Sequence, residues 1–486
     1  MGATPSAPSA AQREELEREH DALVERAAAA IATADVLVFL TGAGWSADSG
    51  LAVYKDIADI PAYHARGVTY PDLCQPDWVQ SEPELFYGFW GMCFNDYRAT
   101  SPHEGYSIVA RWRDAVRARG RDGGVDAELR ALLRKDEGEE SAGAFFAFTS
   151  NVDAHSFTAF ERNEVRECHG NTERWQCAGE CTGRWPAPSG FEFAVDPDSM
   201  LAPGGAPRQP RAEAAADDDE DDGGGGDEQQ QSAKSKPAYK SEAFASNHPR
   251  CPHCGGRARP AILMFGDHGW LDDDAQEAAW WRWQKALLDL AERRPPGLRV
   301  CVLEVGAGGN VTTVRRQSEE IADSVRARGA EATLLRVNPD LPFADLPDSA
   351  PHTVPLLARG LATVRAIDAA LQPLLQDPER ASALLAQPLG LVTVGQAGRG
   401  EEVEEVEEVE EEEEGVGDDD DDDASAVSPD APRPPCPAPT VPAEDKAWGV
   451  FDDVAAPPAK AAAAPAAAPA PAVALSAACD EFISMR

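Results

Sequence analysis

The sequence has few basic residues, few cysteines and no long apolar run, and each shortage excludes a class of protein. Its 486 residues include 44 Lys and Arg against 85 Asp and Glu, so we expect no basic core that binds nucleic acid directly. Ten cysteines are too few for a disulfide scaffold in a chain of this length. Without a bilayer-length apolar run or a basic and apolar leader, the sequence predicts no membrane partner and an intracellular protein, cytoplasmic or nuclear.

Much of the formal net charge of −41 comes from two acidic runs. Residues 217–228 carry eight acids, and residues 401–423 carry eleven Glu and six Asp. These runs lie inside longer segments that are too poor in apolar residues to order themselves. The sequence therefore predicts a disordered acidic insert at 201–247, a disordered acidic and Ala/Pro-rich tail at 376–486, and a short disordered tail at 1–12. The acidic tail is a candidate surface for basic partner proteins.

The remaining region, residues 13–375, alternates strand-like and helix-like segments. Short apolar runs that end in glycine or polar residues predict buried parallel strands, and they occur at 36–40, 145–152, 299–308 and 332–339. Helical patterns at 14–34 and 310–328 flank them. The predicted fold class is α/β, with a Rossmann-like doubly wound parallel sheet. Two interruptions, an aromatic-rich helical module at 57–115 and a cysteine-bearing module at 168–260, predict a second, smaller domain.

A glycine-rich segment follows the first predicted strand and reads Gly42-Ala43-Gly44-Trp45-Ser46, with Ser49 soon after. Closely spaced glycines between a strand and a helix expose backbone N–H groups where a pyrophosphate can bind. The same pattern also fits a tight strand-to-helix turn without a ligand, and the motif alone does not decide between them.

Four cysteines form two close pairs, Cys177 with Cys181 and Cys251 with Cys254. Each pair is typical of a zinc knuckle, and four thiolates complete a tetrahedral structural site with no open position. The long gap between the pairs contains the acidic insert, and lengthening a loop costs little free energy. We therefore expect one structural zinc rather than four unrelated thiols, with His253 as a non-ligand.

Polar residues follow the second predicted strand, where Asn151 and Asp153 stand in Thr-Ser-Asn-Val-Asp. The carboxyl ends of parallel strands are where such sheets bind ligands. His169 follows in Glu-Cys-His-Gly, and imidazole suits a general base near neutrality, although a lone histidine is more often structural. Nothing marks Cys168 as an activated nucleophile, so we expect it to be a packing residue.

Taken in order, these motifs resemble those of the sirtuin deacylases. The shared strings are Gly-Ala-Gly-x-Ser, Thr-x-Asn-x-Asp, His-Gly, the two cysteine pairs and Phe-Gly-Asp, spread over residues 22–370. The resemblance implies a Rossmann-like large domain and a small domain made of a zinc ribbon and a helical module. It also implies NAD as co-substrate and an acyl-lysine protein or peptide as partner, both entering the cleft between the domains.

The resemblance further implies a role for individual residues. His169 would be the general base, and Asn151 and Asp153 would line the nicotinamide pocket as catalytic residues. Phe265 and Gly266 would border the peptide. The residues expected to contact NAD are Gly42, Ala43, Gly44, Ser46, Ser49, Tyr54, Lys55, Ser150, Asn151, Asp153, Gly306, Ala307, Gly308 and Asn338. The implied reaction releases nicotinamide and transfers the acyl group from lysine to ADP-ribose.

Three departures from the family pattern place the chain in a divergent branch. The family's Pro-Asp-Phe-Arg reads Ala-Val-Tyr54-Lys55, its Gln is Ser150, and its Gly-Thr-Ser reads Gly-Ala307-Gly. Lys keeps the charge of Arg but loses its planar fork. A mono-ADP-ribosyltransferase and a catalytically weak NAD-binding scaffold therefore stay open as alternatives to a deacylase.

For two other features a structural role is favoured over a functional one. Tyr63 and Arg66 have the spacing of the pair with which some sirtuins bind acidic acyl groups, but their offset from Tyr54 fits poorly. The cluster Trp280, Trp281 and Trp283 is more typical of a helix packed on a core than of a ligand platform.

Overall fold

The computed structural model describes residues 5–53, 55–119, 124–134, 141–207, 243–294 and 297–387, without the side chain of Lys55. Its centre is a six-stranded parallel sheet in the order β3-β2-β1-β7-β8-β9. The strands of this sheet are β1 (Val36–Thr41), β2 (Phe145–Thr149), β3 (Val165–Glu167), β7 (Arg299–Val305), β8 (Glu331–Val337) and β9 (Thr353–Leu356). This sheet confirms the predicted doubly wound α/β fold.

Strands β1 and β2 are buried along their whole length, because helices cover both faces of the sheet. In β1 all six residues are buried, and Val38 pairs with Phe146 on one side and Val302 on the other. Such strands consist of continuous apolar residues instead of alternating with polar ones. This is why the four apolar runs of the sequence coincide with β1, β2, β7 and β8.

Fourteen helices surround the strands in the described part of the chain. They are α1 (Ala10–Arg18), α2 (His20–Thr33), α3 (Ala43–Ala47), α4 (Lys55–Ala58), α5 (Pro61–His64), α6 (Tyr70–Leu73), α7 (Trp78–Ser81), α8 (Pro83–Ala99), α9 (Gly105–Arg119), α10 (Val125–Leu133), α11 (Asp274–Arg293), α12 (Thr313–Ala327), α13 (Gly360–Leu374) and α14 (Pro378–Ala386). Helices α2, α9 and α13 pack against one another, as do α11 and α12. In that part of the chain, no helix has the length and apolar character needed to cross a membrane.

A second, antiparallel sheet has the order β5-β4-β6 and its own hydrophobic cluster. Its strands are β4 (Gly170–Cys177), β5 (Trp185–Pro186) and β6 (Ala258–Ile262). Helix α8 lies against it, and the Tyr87 hydroxyl donates to the Ala258 carbonyl at 2.7 Å. Helices α4 to α8 thus form the predicted helical module. Helix α9 instead buries Ile108 and Trp112 in the core of the large sheet, so this module is narrower than 57–115.

The ends of the predicted acidic insert are packed. Ala202 is fully buried, and the Asn247 side chain donates to the carbonyls of Ala194 and Pro203 at 2.9 and 3.0 Å. The Asn247 N–H donates to the Gly205 carbonyl, so the two ends meet. Residues 208–242, which include the acidic run, lie outside the described residues.

Both predicted terminal tails, residues 1–12 and 376–486, contain residues that the structure places in helices. Helix α1 starts at Ala10, where Ser9 caps it, and a turn at Glu19 separates it from α2 within the predicted helix 14–34. Helix α14 buries Ala381, and the Arg26 guanidinium donates to the carbonyls of Leu384 and Leu385 at its end. The acidic tail from residue 388 onward lies outside the described residues.

We expect a protein in which residues 208–242 are replaced by a short Gly-Ser linker to keep its melting temperature within about 2 °C. The linker has little distance to span, because Gly205 and Asn247 are already hydrogen-bonded. Deleting 201–247 is the matched control and should lower the melting temperature by several degrees, since it removes the buried Ala202 and the Asn247 hydrogen bonds. Thermal unfolding of both variants checks this; an equal loss in both would show that 208–242 stabilise the fold.

Candidate functional site

The candidate site lies where the strand order of the large sheet reverses. From β1 the chain continues to β2 and β3 on one side, and later to β7, β8 and β9 on the other. The loops after β1 and β7 therefore leave the same edge of the sheet and diverge, which opens a crevice at their carboxyl ends. In doubly wound sheets this switch point is the usual place for a ligand.

Glycines allow the loops after β1 and β7 to touch at this point. A Cβ on Gly42 would lie 2.7 Å from the Cα of Ala307, and a Cβ on Gly44 would lie 2.8 Å from the Cα of Gly306. Gly306 has a φ of +69° and would itself place a Cβ 2.4 Å from the Trp45 nitrogen. The motif glycines thus satisfy a close backbone approach. Because the Gly44 N–H donates to the Gly306 carbonyl at 3.0 Å, it is engaged within the protein.

Replacing Gly44 with alanine is expected to destabilise the protein by about 1–3 kcal/mol, because backbone atoms cannot move aside as a side chain can. Gly308→Ala is the matched control: it adds the same methyl group to the same pair of loops, but no atom lies within 4 Å of its Cβ. Urea unfolding of the two variants measures the difference. Equal stability of the two proteins would contradict the close approach of the loops.

Three polar side chains from β1, β2 and their loops form a buried hydrogen-bonded cluster beside the glycines. The Asn151 amide donates to the Ser46 hydroxyl at 2.9 Å, and the Ser46 hydroxyl donates to the Asp153 carboxylate at 2.5 Å. The other Asp153 oxygen accepts from the His155 N–H at 2.9 Å. Asn151 and Asp153 lie 105 and 107 positions after Ser46 in the sequence, and these hydrogen bonds bring them together at the edge of the sheet. The arrangement offers a carboxylate, an amide and a hydroxyl to one polar ligand.

His169 lies one strand further along the same edge, just after β3. Its neighbour Cys168 is anchored by an N–H donated to the Thr149 carbonyl at 2.9 Å, which aligns β3 with β2. Burial, together with the positive charge of Arg166, lowers the pKa of His169 to about 4, and a backbone hydrogen bond with Ser150 acts in the opposite direction. The imidazole is therefore neutral at ordinary pH and is able to accept a proton. Burial raises the pKa of Cys168 to about 12, which agrees with a packing role.

The loop expected to border a peptide is attached to the His169 segment. The Leu263 N–H donates to the His169 carbonyl, and the Phe265 N–H donates to the Cys74 carbonyl, both at 3.0 Å. A turn follows at Gly266, whose φ is +65°. A buried bidentate ion pair closes this turn, with both Arg259 nitrogens 2.7 Å from the Asp267 oxygens. Phe265 and Gly266 thus follow directly after the segment that is hydrogen-bonded to His169.

Four of the residues expected to contact NAD, Gly306 to Gly308 and Asn338, also lie together. The Asn338 side-chain amide donates to the Ala307 carbonyl at 2.7 Å, and its oxygen accepts the N–H groups of Asp340 and Leu341 at 2.9 Å each. Asn338 therefore ties the loop after β8 to the loop after β7. Asn338 thereby fixes the relative position of these two loops.

The four predicted zinc ligands form one cluster between β4 and β6. The sulfur atoms of Cys177, Cys181, Cys251 and Cys254 all lie within 4.8 Å of one another. Backbone N–H groups point at three of the sulfurs, from Gly179 at 3.3 Å and from His253 and Gly256 at 3.4 Å. Such N–H groups stabilise thiolates, and the Gly256 N–H lowers the pKa of Cys254 to about 7. The four sulfurs fit one structural zinc with a closed shell.

The other residues that the sequence singled out are two expected NAD contacts, the Tyr63 and Arg66 pair, and the tryptophan cluster. Tyr54 and the side chain of Lys55 lie outside the described residues. Tyr63 is fully buried whereas Arg66 is exposed. Trp280 and Trp283 pack into the core against Phe146, as expected for a structural cluster, while Trp281 is 39% exposed.

Sequence reasoning missed His103, Tyr106 and Glu167. The rings of His103 and Tyr106 pack against Trp45 edge-on and tilted, with ring centroids 4.2 and 5.2 Å away. Glu167 ends β3, accepts from the Asn171 amide, and has its pKa raised to about 8 by burial. The one signal for Glu167 was its position two residues before His169. No local pattern singled out His103, because its hydrogen bonds to Ser49 and Trp45 join residues that lie 54 and 58 positions apart.

No family model matches the chain. Among curated proteins it is 28% identical over 191 residues to an NAD-dependent protein deacylase of Deinococcus radiodurans, covering 38% of this chain and 64% of that protein. It is 24% identical over 250 residues to an NAD-dependent protein deacylase of Thermus thermophilus, covering 51% and 64%. The matches thus span just under two thirds of each relative's length. Among solved structures, a Sir2 homologue in complex with NAD is 18% identical, with a TM-score of 0.39 and coverage of 74% and 93%.

Proposed function

We propose that the chain is a divergent member of the sirtuin family and acts as an NAD-dependent protein-lysine deacylase. In the proposed reaction, NAD supplies both the leaving nicotinamide and the ADP-ribose that accepts the acyl group. The observation that carries the proposal is the convergence of Ser46, Asn151, Asp153 and His169 at one edge of the sheet. These residues belong to the segments that follow three different strands, β1, β2 and β3.

The polar cluster fits the nicotinamide half of NAD. Asp153 is able to accept hydrogen bonds from a carboxamide, and Asn151 is able to donate to a ribose or carboxamide oxygen. These groups bond to each other through Ser46, and a bound ligand would exchange with Ser46 for these hydrogen bonds. The paired loops at Gly44 and Gly306, with Asn338, would hold the phosphates and the adenosine half.

His169 is proposed to be the general base. Once the acyl oxygen had displaced nicotinamide from the ribose, the neutral imidazole would take the proton of a ribose hydroxyl. That oxygen would add to the acyl carbon as its double bond to the lysine nitrogen becomes a single bond. Burial keeps the ring unprotonated, which is the form required to accept. The loop at Phe265 and Gly266 would border the acyl-lysine peptide beside the base. The zinc has no part in this chemistry, since four sulfurs fill its shell.

The proposed function is tested by measuring nicotinamide release from NAD with and without an array of acyl-lysine peptides. A deacylase releases nicotinamide only when an acylated peptide is present and yields one free lysine for each nicotinamide. A mono-ADP-ribosyltransferase would instead leave the acyl group in place and add mass to a protein acceptor. NAD binding without turnover of any peptide would identify a scaffold and contradict the proposal.

We further propose that the acidic run at 401–423 recruits basic substrates. Its seventeen acids would attract lysine-rich proteins at low ionic strength. A chain ended at residue 387 is expected to have a higher KM for a basic acylated protein in 50 mM salt, by roughly threefold to tenfold, and an unchanged KM for a short neutral peptide. The difference should disappear in 500 mM salt; if it persists, or affects the neutral peptide equally, recruitment by charge is wrong.

A further inference from the structure

We propose that His103 is a positioning residue that sets the conformation of the segment 43–49, here called the NAD cradle. The inference rests on the proposed function for its ligand. It concerns a histidine outside the family motifs, in the loop between α8 and α9. Its contacts converge on the cradle and on its own loop.

His103 is bonded to the cradle at two points. Its backbone N–H donates to the Ser49 hydroxyl at 3.0 Å, and its Nε2 lies 2.9 Å from the Trp45 carbonyl. The Gly105 N–H donates to its Nδ1 at 3.0 Å, so Nδ1 has to accept. The tautomer is thereby fixed, because a neutral ring that accepts at Nδ1 carries its proton on Nε2 and donates it to Trp45.

Close packing around the Trp45 side chain prevents the cradle from shifting relative to His103. Trp45 is fully buried, and its ring meets that of His103 edge-on, with centroids 4.2 Å apart. A Cβ on Gly105 would lie 2.4 Å from the Trp45 ring, and one on Gly360 would lie 3.1 Å from it. The cradle is therefore packed between the first turns of α9 and α13.

Asp48 holds the cradle from the opposite side. Its carboxylate accepts the Leu361 N–H at 2.6 Å, near the start of α13. The carbonyl of Trp45 and the side chains of Asp48 and Ser49 are thus fixed by groups that do not belong to the cradle. A loop ordered before the ligand arrives loses less conformational entropy on binding, so these bonds favour NAD affinity over the chemical step.

The same geometry makes the cradle sensitive to acid. Protonated Nδ1 cannot accept the Gly105 N–H, so protonation breaks the bond that fixes the ring. Burial lowers the pKa of His103, and Arg365 and His155 act in the same direction; the Trp45 carbonyl and Asp48 act against it. Glu104, which pairs with Arg365, and the Tyr106 ring complete its surroundings. The neutral, ordered form is present at neutral pH and is lost as pH falls through this lowered pKa.

A matched pair of variants tests the proposal. His103→Asn keeps an acceptor near the position of Nδ1 but cannot reach the Trp45 carbonyl. His103→Gln keeps a donor near the position of Nε2 but loses the acceptor for Gly105. If His103 positions the cradle, His103→Asn weakens NAD binding roughly threefold to tenfold, whereas His103→Gln stays within about twofold of wild type. With saturating NAD, kcat is expected to change less than twofold in either variant.

Calorimetric titration with NAD gives the affinities, and hydrogen exchange of the ligand-free proteins gives the order of the cradle. The amides of residues 43–49 are expected to exchange about threefold to tenfold faster in His103→Asn, without a matching change in melting temperature. The fall of NAD affinity in acid should disappear in both variants. Loss of affinity in His103→Gln but not His103→Asn, or unchanged cradle exchange in His103→Asn, would overturn the proposal. A wild type that binds no NAD would contradict the proposed function instead, while hydrogen exchange would still decide whether His103 orders the cradle.

Discussion

His169→Ala is expected to lower the rate of deacylation by roughly 10²–10⁴ while NAD still binds with near wild-type affinity. The loss follows because a base that acts on the ribose cannot be replaced by solvent in a half-buried site. The glycine loops at Gly44 and Gly306 are untouched, so the phosphate half of the pocket is kept. Product analysis and calorimetric NAD titration on the same protein measure the two effects.

The pH dependence of the wild type follows from the lowered pKa of His169. Neutral imidazole is the active form, and its fraction rises with pH through the pKa. With an ordinary histidine pKa near 6.5 the rate would already fall below neutrality. Because burial moves the pKa to about 4, the contribution of His169 should remain flat from pH 8 to about pH 5 and fall only near pH 4. A profile with a midpoint near 6.5 would contradict the buried environment of the ring.

Two further variants separate catalysis from packing. His169→Gln keeps a side chain that is able to hydrogen-bond the Ser150 backbone but has no basic nitrogen, so it should be as inactive as His169→Ala and more stable. His352→Ala removes another histidine whose pKa burial lowers, in a 3₁₀ helix before β9, and should leave activity unchanged. A well-folded His169→Ala protein with near wild-type deacylation would end the proposed mechanism for this chain.

The strands that the sequence predicts are those that consist mainly of apolar residues. Strands β3 and β9 escape prediction because they have three and four residues, and β3 reads Val-Arg-Glu. Arg166 is tolerated there because Asp272 pairs with it at 2.6 Å. Neighbours that are distant in sequence thus decide whether so short and polar a segment becomes a strand.

The site is predictable to the extent that its residues belong to short motifs. The positions of Asn151, Asp153 and the four cysteines follow from strand ends and from spacing. The contribution of His103 does not, since its partners Trp45 and Ser49 meet it only after α8 has crossed the small domain. Nor does the assignment of α9, because an amphipathic pattern shows that a helix has a buried face without showing which core receives it.

Charges buried in the sheet are a third feature that local patterns do not give. Arg336 in β8 is fully buried, with its guanidinium 2.8 Å from Glu304 in β7 and from Glu319 in α12. Each residue alone would argue against a buried strand or helix face. Together they neutralise and hydrogen-bond one another, and this offsets the free-energy cost of removing each charge from water.

The largest effect on stability is expected from loss of the zinc. Metal analysis should find one zinc for each chain, and Cys251→Ala should unfold the β5-β4-β6 sheet. Structural zinc contributes on the order of 10 kcal/mol, which exceeds what so small a sheet with one hydrophobic cluster supplies. Hydrogen exchange measured residue by residue detects this unfolding as a loss of protection of the backbone amides in the antiparallel sheet. Chelation of the wild type should reproduce it.

The matched control is Cys301→Ala, which removes an equally buried thiol from β7 of the large sheet. That variant loses only the burial of one sulfur atom, about 1–2 kcal/mol, and should keep its zinc. The two variants also differ in what they do to function. Strand β6 leads directly into the segment that donates from Leu263 to His169 and from Phe265 to Cys74. Unfolding in Cys251→Ala should therefore abolish deacylation, while NAD affinity falls far less because the glycine loops belong to the large sheet. A metal-free protein with full activity, or a Cys251→Ala variant no less stable than Cys301→Ala, would show that the four thiols hold no structural metal.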